Sequence, residues 1–283
     1  MATATLTSVR EIEREITSLR VAPGSDAPYQ RTSVMTHMAW VPEEWVEAAE
    51  DVLAGLAERH PSRTLVLVPQ PDADDGLEAS VEVTCFPVGE GRQVCTETIR
   101  IRLNGRAAIA PESVVQPLFI PDLPVFLRWR GTPAFAERPF ERLVEVIDRL
   151  IVDSTEWPEL RRAYARLAEL FERVVVSDIA WARTSRWRAQ LASLWPEIAD
   201  LRRIRVVGTA AQAQLLGGWL RSRLDRPVEV EHEPADKLLG VEIDGEPAPF
   251  PPGDPPHPSD LLSDELDRFS RDRAYEDAVR AAV

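Results

Sequence analysis

Apolar positions recur along this chain with two alternating periods, one helical and one extended. Their succession predicts an α/β protein. Val9, Ile12, Ile16 and Leu19 keep helical spacing in a polar segment, which predicts a surface helix. A loop over Val21 to Tyr29 leads to a strand over Arg31 to Val41, with Val34, Thr36, Met38 and Trp40 on one face. Pro42 opens a helix with Glu43 and Glu44 at its positive end and a stripe of Trp45, Ala49, Val52, Leu53 and Leu56. His60-Pro61-Ser62-Arg63 stops that helix and starts a strand over Thr64 to Val68. Leu77 to Phe86 and Gln93 to Leu103 both alternate, and Gly89-Glu90-Gly91 between them predicts a hairpin. Pairing Val88 with Arg92 sets Cys85 opposite Cys95. The two thiols are then either small core residues or a redox pair. Glu97 falls on the apolar face and needs a partner there, Arg63 or His60, unless a bulge turns it outward.

The most apolar long segment is Ser113 to Gly131, SVVQPLFIPDLPVFLRWRG. It predicts a short helix capped by Ser113, a turn at Asp122-Leu123-Pro124 and a central strand from Val125 to Trp129. A helix over Pro139 to Ile147 and a strand over Leu150 to Val152 complete a parallel strand–helix–strand unit. Trp157, Leu160, Tyr164, Leu167 and Phe171 mark the next helix, and Val174 to Trp181 reads as a linker with strand character. Beyond it come a helix over Arg183 to Trp195, a strand over Ile204 to Val207, a helix over Ala210 to Leu224, and strands over Val228 to His232 and Leu238 to Ile243. Gly217-Gly218 inside a helix costs up to about 1 kcal/mol per glycine relative to alanine, and close approach of another backbone is the expected compensation. These elements predict two α/β lobes with mixed sheets flanked by helices: an N-terminal domain over 1–175 and a smaller C-terminal one over 176–246. A proline-rich linker over 247–258 and a C-terminal helical segment over 259–283 follow.

Charge and composition narrow the function. The chain has 33 basic and 47 acidic residues, a net charge of −14. That disfavours non-specific binding to nucleic acid. Two cysteines are too few for a disulfide scaffold and favour a reducing compartment. The charged N-terminal segment does not suit a signal peptide, and no run suits a membrane span, so a cytoplasmic protein without a membrane partner is expected. Phosphate-binding glycine motifs and a nucleophile elbow are absent from the sequence, and His37, His60, His232 and His257 lack metal-ligand spacing.

Two candidate surfaces remain. Arg128 and Arg130 at the end of one strand could meet Asp153 and Ser154 at the end of the next, forming an anion site at the carboxyl edge of the sheet. The structural alternative pairs Asp153 with an arginine and uses Ser154 as a cap. Gly208-Thr209 before a helix is a weaker anion signal. Trp129, Trp181, Trp187 and Trp219 lie beside Arg128, Arg130, Arg183, Arg186, Arg188 and Arg221. This is either the composition of an interface or core tryptophan covered by arginine stems.

Several blocks resemble the glucose-6-phosphate dehydrogenase assembly protein family, OpcA: HPSRTLVLV from His60, the Ser113 to Gly131 segment, DRLIVDS from Asp148, DIAWARTSRWRAQL from Asp178, GWLRSRL from Gly218, and SDELDRFSRDRAYEDAV from Ser263. The resemblance implies a non-catalytic accessory protein without catalytic residues, cofactor or metal. Its implied partner is glucose-6-phosphate dehydrogenase, whose assembly or allosteric activation it would promote in the oxidative pentose phosphate pathway, supporting NADPH supply. On that reading Trp129, Arg130, Trp181, Arg186 and Trp187 are the expected partner contacts. The alternative is a sugar-phosphate-binding module or degenerate enzyme that uses Arg128, Arg130, Asp153 and Ser154, with Cys85 and Cys95 as a possible redox pair.

Overall fold

Segments with period-2 apolar patterning pair into two sheets, and segments with helical patterning cover them. The computed structural model describes residues 5–20, 29–30, 33–54, 56, 59–87, 93–254 and 256–283. The expected loop over Val21 to Tyr29, apart from its last residue, and the Gly89-Glu90-Gly91 turn lie outside them. The chain divides into two units, Met1–Arg130 with Ala134–Leu150, and Gly131–Pro133 with Ile151–Val283.

The first unit contains α1 (Val9–Arg20), β1 (Tyr29–Gln30), β2 (Thr36–Trp40), α2 (Val46–Ala54), β3 (Arg63–Gln70), β4 (Gly76–Pro87) and β5 (Gln93–Asn104). It continues with α3 (Arg106–Ile109), α4 (Glu112–Val115), β6 (Val125–Trp129) and α5 (Arg138–Val144), and reaches β7 (Arg149–Val152), within which the division falls. The strand order is β1-β5-β3-β2-β6-β7, with β4 paired to β5. β2 pairs in parallel with both β3 and β6, whereas β4 and β5 pair antiparallel. Every residue of β2 and of β6 is buried, as expected for strands covered on both faces. On one face Ala39, Val41, Val66 and Val68 meet Ala49 of α2, with Trp45, Val46 and Leu53 packed around them. On the other, Trp40 stacks on Trp129 at 4.8 Å between ring centroids, and Phe140 of α5 meets Trp129 edge-on at 5.1 Å.

Local details correct the sequence reading in places. Ser113 does not cap: α4 starts after Pro111, and the Ser113 hydroxyl donates back to Ala110 O at 2.8 Å. Glu97 stays on the buried face without a bulge, where Arg63 Nε donates to its carboxylate at 2.8 Å and Arg63 Nη1 to Leu118 O at 2.7 Å. The His60–Arg63 tetrad thus serves the fold. Cys85 and Cys95 are directly opposite, as the hairpin register requires, but they are joined in a disulfide rather than being separate core thiols.

The second unit takes up the chain within β7 and adds α6 (Leu160–Leu170), β8 (Val175–Asp178), α7 (Ile179–Arg183), α8 (Ser185–Ser193), β9 (Arg203–Gly208), α9 (Ala210–Leu224) and β10 (Glu229–Pro234). β11 (Gly240–Ile243), β12 (Glu246–Pro247), α10 (Pro258–Leu266) and α11 (Arg273–Ala282) complete it. β8 lies next to β7, so residues 174–181 are a sheet strand followed by the start of α7, not a linker. The division between the two units falls near residue 150, within β7. α6 packs on α11, and the Tyr164 hydroxyl on α6 donates to Ser154 Oγ at 2.8 Å, which draws residues 151–175 into this unit. The second sheet runs β10-β9-β11-β12. β9 is parallel to β10 through α9 and antiparallel to β11. Asp244 and Gly245, both with positive φ (49° and 94°), form the tight turn from β11 to β12.

The expected closing helix is two helices. Asp272 ends the break between them by capping α11, its carboxylate accepting from Tyr275 N at 3.0 Å. Gly218 faces the backbone of α11 at Ala278, which is the close approach its presence inside a helix suggested. Gly217 faces the Val230 side chain instead.

Candidate functional site

The expected site residues separate by unit. In the first, Trp129 is buried in the aromatic stack. Arg128 is buried as well, with Nη1 donating to Trp129 O. Arg130 sets its guanidinium 4.5 Å above the Trp45 ring. His37, on the face of β2 covered by α2, is fully enclosed, and its Nε2 has no partner among the described residues. Burial and the nearby positive charge of Arg128 push its pKa down to about 4.

In the second unit a buried polar network gathers at the ends of β7 and β8. Asp178 accepts from Ser154 N (3.0 Å), Ser154 Oγ (2.6 Å) and Ala180 N (2.8 Å), and Tyr275 OH of α11 lies 3.3 Å from it. Burial, then the neighbouring Asp153 charge, raise the Asp178 pKa to about 7 against the pull of these hydrogen bonds. Burial also holds the hydroxyls of Tyr164 and Tyr275 protonated, well above the ordinary tyrosine range. Asp153 caps the following turn through Thr155 N at 3.2 Å and forms an ion pair with Arg183, whose Nη1 donates to both carboxylate oxygens at 2.9 and 2.8 Å.

The structural alternative for Asp153 therefore holds, but with Arg183 as the arginine and Asp153 itself as the cap. Ser154 is not the cap, and its hydroxyl is spent on Asp178. A carboxyl that titrates near neutrality next to a serine resembles a general base beside a nucleophile. Here, however, Ser154 is 0% exposed and Asp178 is 1% exposed, so no substrate reaches them. The network ties α6, β7, β8 and α11 together.

The tryptophans expected at a surface are mostly core. Trp181 is buried: its Nε1 donates to Asp272 at 2.8 Å and the Arg188 guanidinium covers its ring at 3.4 Å. Burial lowers the Arg188 pKa to about 10. Trp187 is buried in the cluster under the second sheet with Leu191, Ile204, Val206, Leu216 and Leu220, and Trp219 packs partly buried against it. Arg186 lies across the proline-rich segment. It donates to Pro251 O at 2.9 Å and Pro252 O at 2.7 Å, and also bonds Gly253 O. Phe250 meets the Trp187 ring edge-on at 5.4 Å yet is 66% exposed.

Sequence reasoning missed Phe250 as the exposed aromatic beside Arg186 and Trp187, and missed Arg183 as the partner of Asp153. The first was hidden in a segment read as a linker. The second lies 30 residues from its carboxylate. Among the described residues no group of three or more His, Cys, Asp or Glu side chains could hold a metal ion, and no helix is long and apolar enough to cross a membrane.

Comparison with known proteins fits this arrangement. Residues 54–169 match the family model described as the glucose-6-phosphate dehydrogenase subunit N-terminal domain, and residues 174–249 match the corresponding C-terminal domain. The family models divide the chain near 170, about 20 residues beyond the division within β7. A protein of Nostoc punctiforme described as "Putative OxPP cycle protein OpcA" is 33% identical over 195 residues, which cover 64% of this chain and 42% of that one. One of the same description from Synechocystis is 30% identical over 103 residues, 35% of this chain and 22% of that one. The chain thus spans less than half the length of the curated relatives it matches. No solved structure matches it. With both domain models matched in order, the chain belongs to the OpcA family of glucose-6-phosphate dehydrogenase assembly proteins.

Proposed function

We propose that this protein is a non-catalytic accessory factor that binds glucose-6-phosphate dehydrogenase and promotes its assembly or allosteric activation. In that role it supports the oxidative pentose phosphate pathway and NADPH supply in the cytoplasm. The observation that carries this reading is the ordered match to both domains of a family described as a subunit of that dehydrogenase. The sealed state of the Asp178–Ser154 network supports it, because the group best placed for acid–base chemistry has no access to substrate. Activation requires only that the protein bind the active state of the enzyme more tightly than the inactive one.

On this reading the five expected contact residues divide in role. Trp129, Trp181 and Trp187 are buried and support the surface, whereas Arg130 and Arg186 reach it. Arg186 and Trp187 together hold the segment from Phe250 to Gly253, and Phe250 is its exposed aromatic. A rigidly held aromatic next to arginine has the composition of a binding hot spot. The test is the rate of the cognate dehydrogenase against glucose 6-phosphate, with and without this protein, together with its oligomer distribution. The expected result is a raised maximal rate or a lowered half-saturation, with Phe250→Ala needing roughly tenfold more protein for half-maximal effect. No change in rate, half-saturation or oligomer distribution would refute the proposal.

A further inference from the structure

The second sheet carries a cavity for which the accessory role gives no use. β9 and β10 are parallel and joined through α9, while β11 takes the other edge of β9. The carboxyl ends of parallel strands are where open α/β sheets bind ligands. At that edge lies a cavity of about 560 Å³, lined by Gly208 to Ala210, Gln212, His232 and Pro234 to Lys237, with Thr155 and Arg183 closing one side. Its size lies within the range of small-molecule sites and exceeds what an inorganic ion needs.

Its wall is rich in donors. Thr209 and Gln212 form a reciprocal cap at the start of the 15-residue helix α9, Thr209 N donating to Gln212 Oε1 at 3.0 Å and Gln212 N to Thr209 Oγ1 at 3.3 Å. The amides of Ala210 and Ala211 are left with no acceptor among the described residues. The cap also orients the Gln212 carboxamide: with its oxygen committed to Thr209, its NH2 group is turned away. Gln212 lines the cavity, is only 2% exposed as a residue, and its Nε2 has no acceptor among the described residues. Nε2 adds a side-chain donor to the helix-end amides, for a ligand that accepts hydrogen bonds.

Two cations stand beside these donors. Arg183 is held in place by Asp153 through Nη1, and its other nitrogens make no hydrogen bond among the described residues. Lys237, the one lysine of the sequence, is exposed and has no ion-pair partner among the described residues. Asp236 is the carboxylate among the lining residues, and His232 spends Nε2 on Gly208 O at 2.9 Å. Asp153 balances the charge of Arg183, which leaves Lys237 against Asp236 at the cavity.

We propose that this cavity binds the phosphoryl group of a small phosphate-bearing molecule. The phosphoryl oxygens sit against the Ala210 and Ala211 amides and the Gln212 carboxamide, and Lys237 neutralises the outer oxygens. The organic part occupies the remaining volume towards Thr155 and Arg183. The proposal does not depend on the dehydrogenase.

The experiment is calorimetric titration of the protein alone with glycerol 3-phosphate, inorganic phosphate and glycerol. Saturable binding of glycerol 3-phosphate with none of glycerol is expected. Tighter binding of the ester than of free phosphate identifies an organic phosphate as the ligand, and equal binding identifies phosphate itself; both support the site. Gln212→Glu keeps an oxygen for Thr209 but replaces the donor with a negative charge, and it should weaken binding about tenfold or more. Lys237→Gln, at an exposed position that cannot disturb folding, should weaken it several-fold. Absence of saturable binding to either phosphate at millimolar concentration overturns the proposal. So does binding unaffected by both substitutions.

Discussion

Replacing Gly218 with alanine tests how the second unit is held together. In an open helix this change stabilises by about 1 kcal/mol, because glycine has more backbone entropy to lose. At this position a Cβ would fall well inside contact distance of Ala278 O and 3.1 Å from both the Ala278 carbonyl carbon and Ala282 N. All three are backbone atoms of α11, so no side-chain rotation relieves the clash, and α9 and α11 must part by roughly 1 Å. That separation loosens α11, whose Tyr275, Ala278 and Val279 are fully buried. Overpacking of this kind costs about 3 kcal/mol at the upper end of its range; set against the helix gain, the net loss is about 2 kcal/mol. Urea denaturation should show this loss. Native-state hydrogen exchange should show α11 amides exchanging roughly 30-fold faster, the same free energy read locally. Gly217→Ala is the internal comparison. Its methyl would meet the half-buried Val230 side chain on edge strand β10, which can yield, so it should cost less. A Gly218→Ala protein as stable as the parent, or one with slower exchange in α11, would refute the close approach of the two helices.

Further outcomes follow from the buried groups. His37 has its pKa lowered to about 4 in the folded chain from an ordinary 6.5, so its contribution to stability is complete above pH 6.5 and is lost as the pH falls from there towards 4. The loss is about 3 kcal/mol, and His37→Asn should flatten this part of a urea-midpoint profile between pH 8 and pH 4.5. Arg63→Ala removes the ion-pair partner of the buried Glu97 carboxylate and should cost about 3–5 kcal/mol, whereas Arg63→Met with Glu97→Leu should cost far less; equal losses in thermal or urea denaturation would contradict the assigned ion pair. Reduction of the Cys85–Cys95 disulfide, which closes a short hairpin, should lower stability by about 2–3 kcal/mol, and Cys85→Ser with Cys95→Ser should abolish the response of the melting temperature to reductant.

Element positions were legible wherever one period persisted. β6 is the strand expected from Val125 to Trp129, and β4 and β5 have the register expected from pairing Val88 with Arg92 and counting back. The candidate site was less legible. Arg128, Trp129 and Arg130 form a conspicuous polar and aromatic run at a strand end, yet Trp129 belongs to an aromatic stack and Arg130 lies over Trp45. Side chains that alternate along a strand announce two faces. They do not announce which neighbours cover each face.

The same division separates what the chain alone determined from what its fold decided. Residue order determined the α/β class, the strands and helices, the glycine pair that demands a close neighbour, and the blocks that mark the family, because each depends on residues close in sequence. Tertiary structure decided that Asp153 pairs with Arg183, that Trp181 is buried against Asp272, that Ser154 is sealed beneath Asp178, and that Phe250 rather than a tryptophan stands exposed beside Arg186. These partners lie 24 to 91 residues apart in sequence. A hydrogen bond or ring contact acts over only a few ångströms, so no local pattern encodes which distant segment the fold brings within its reach.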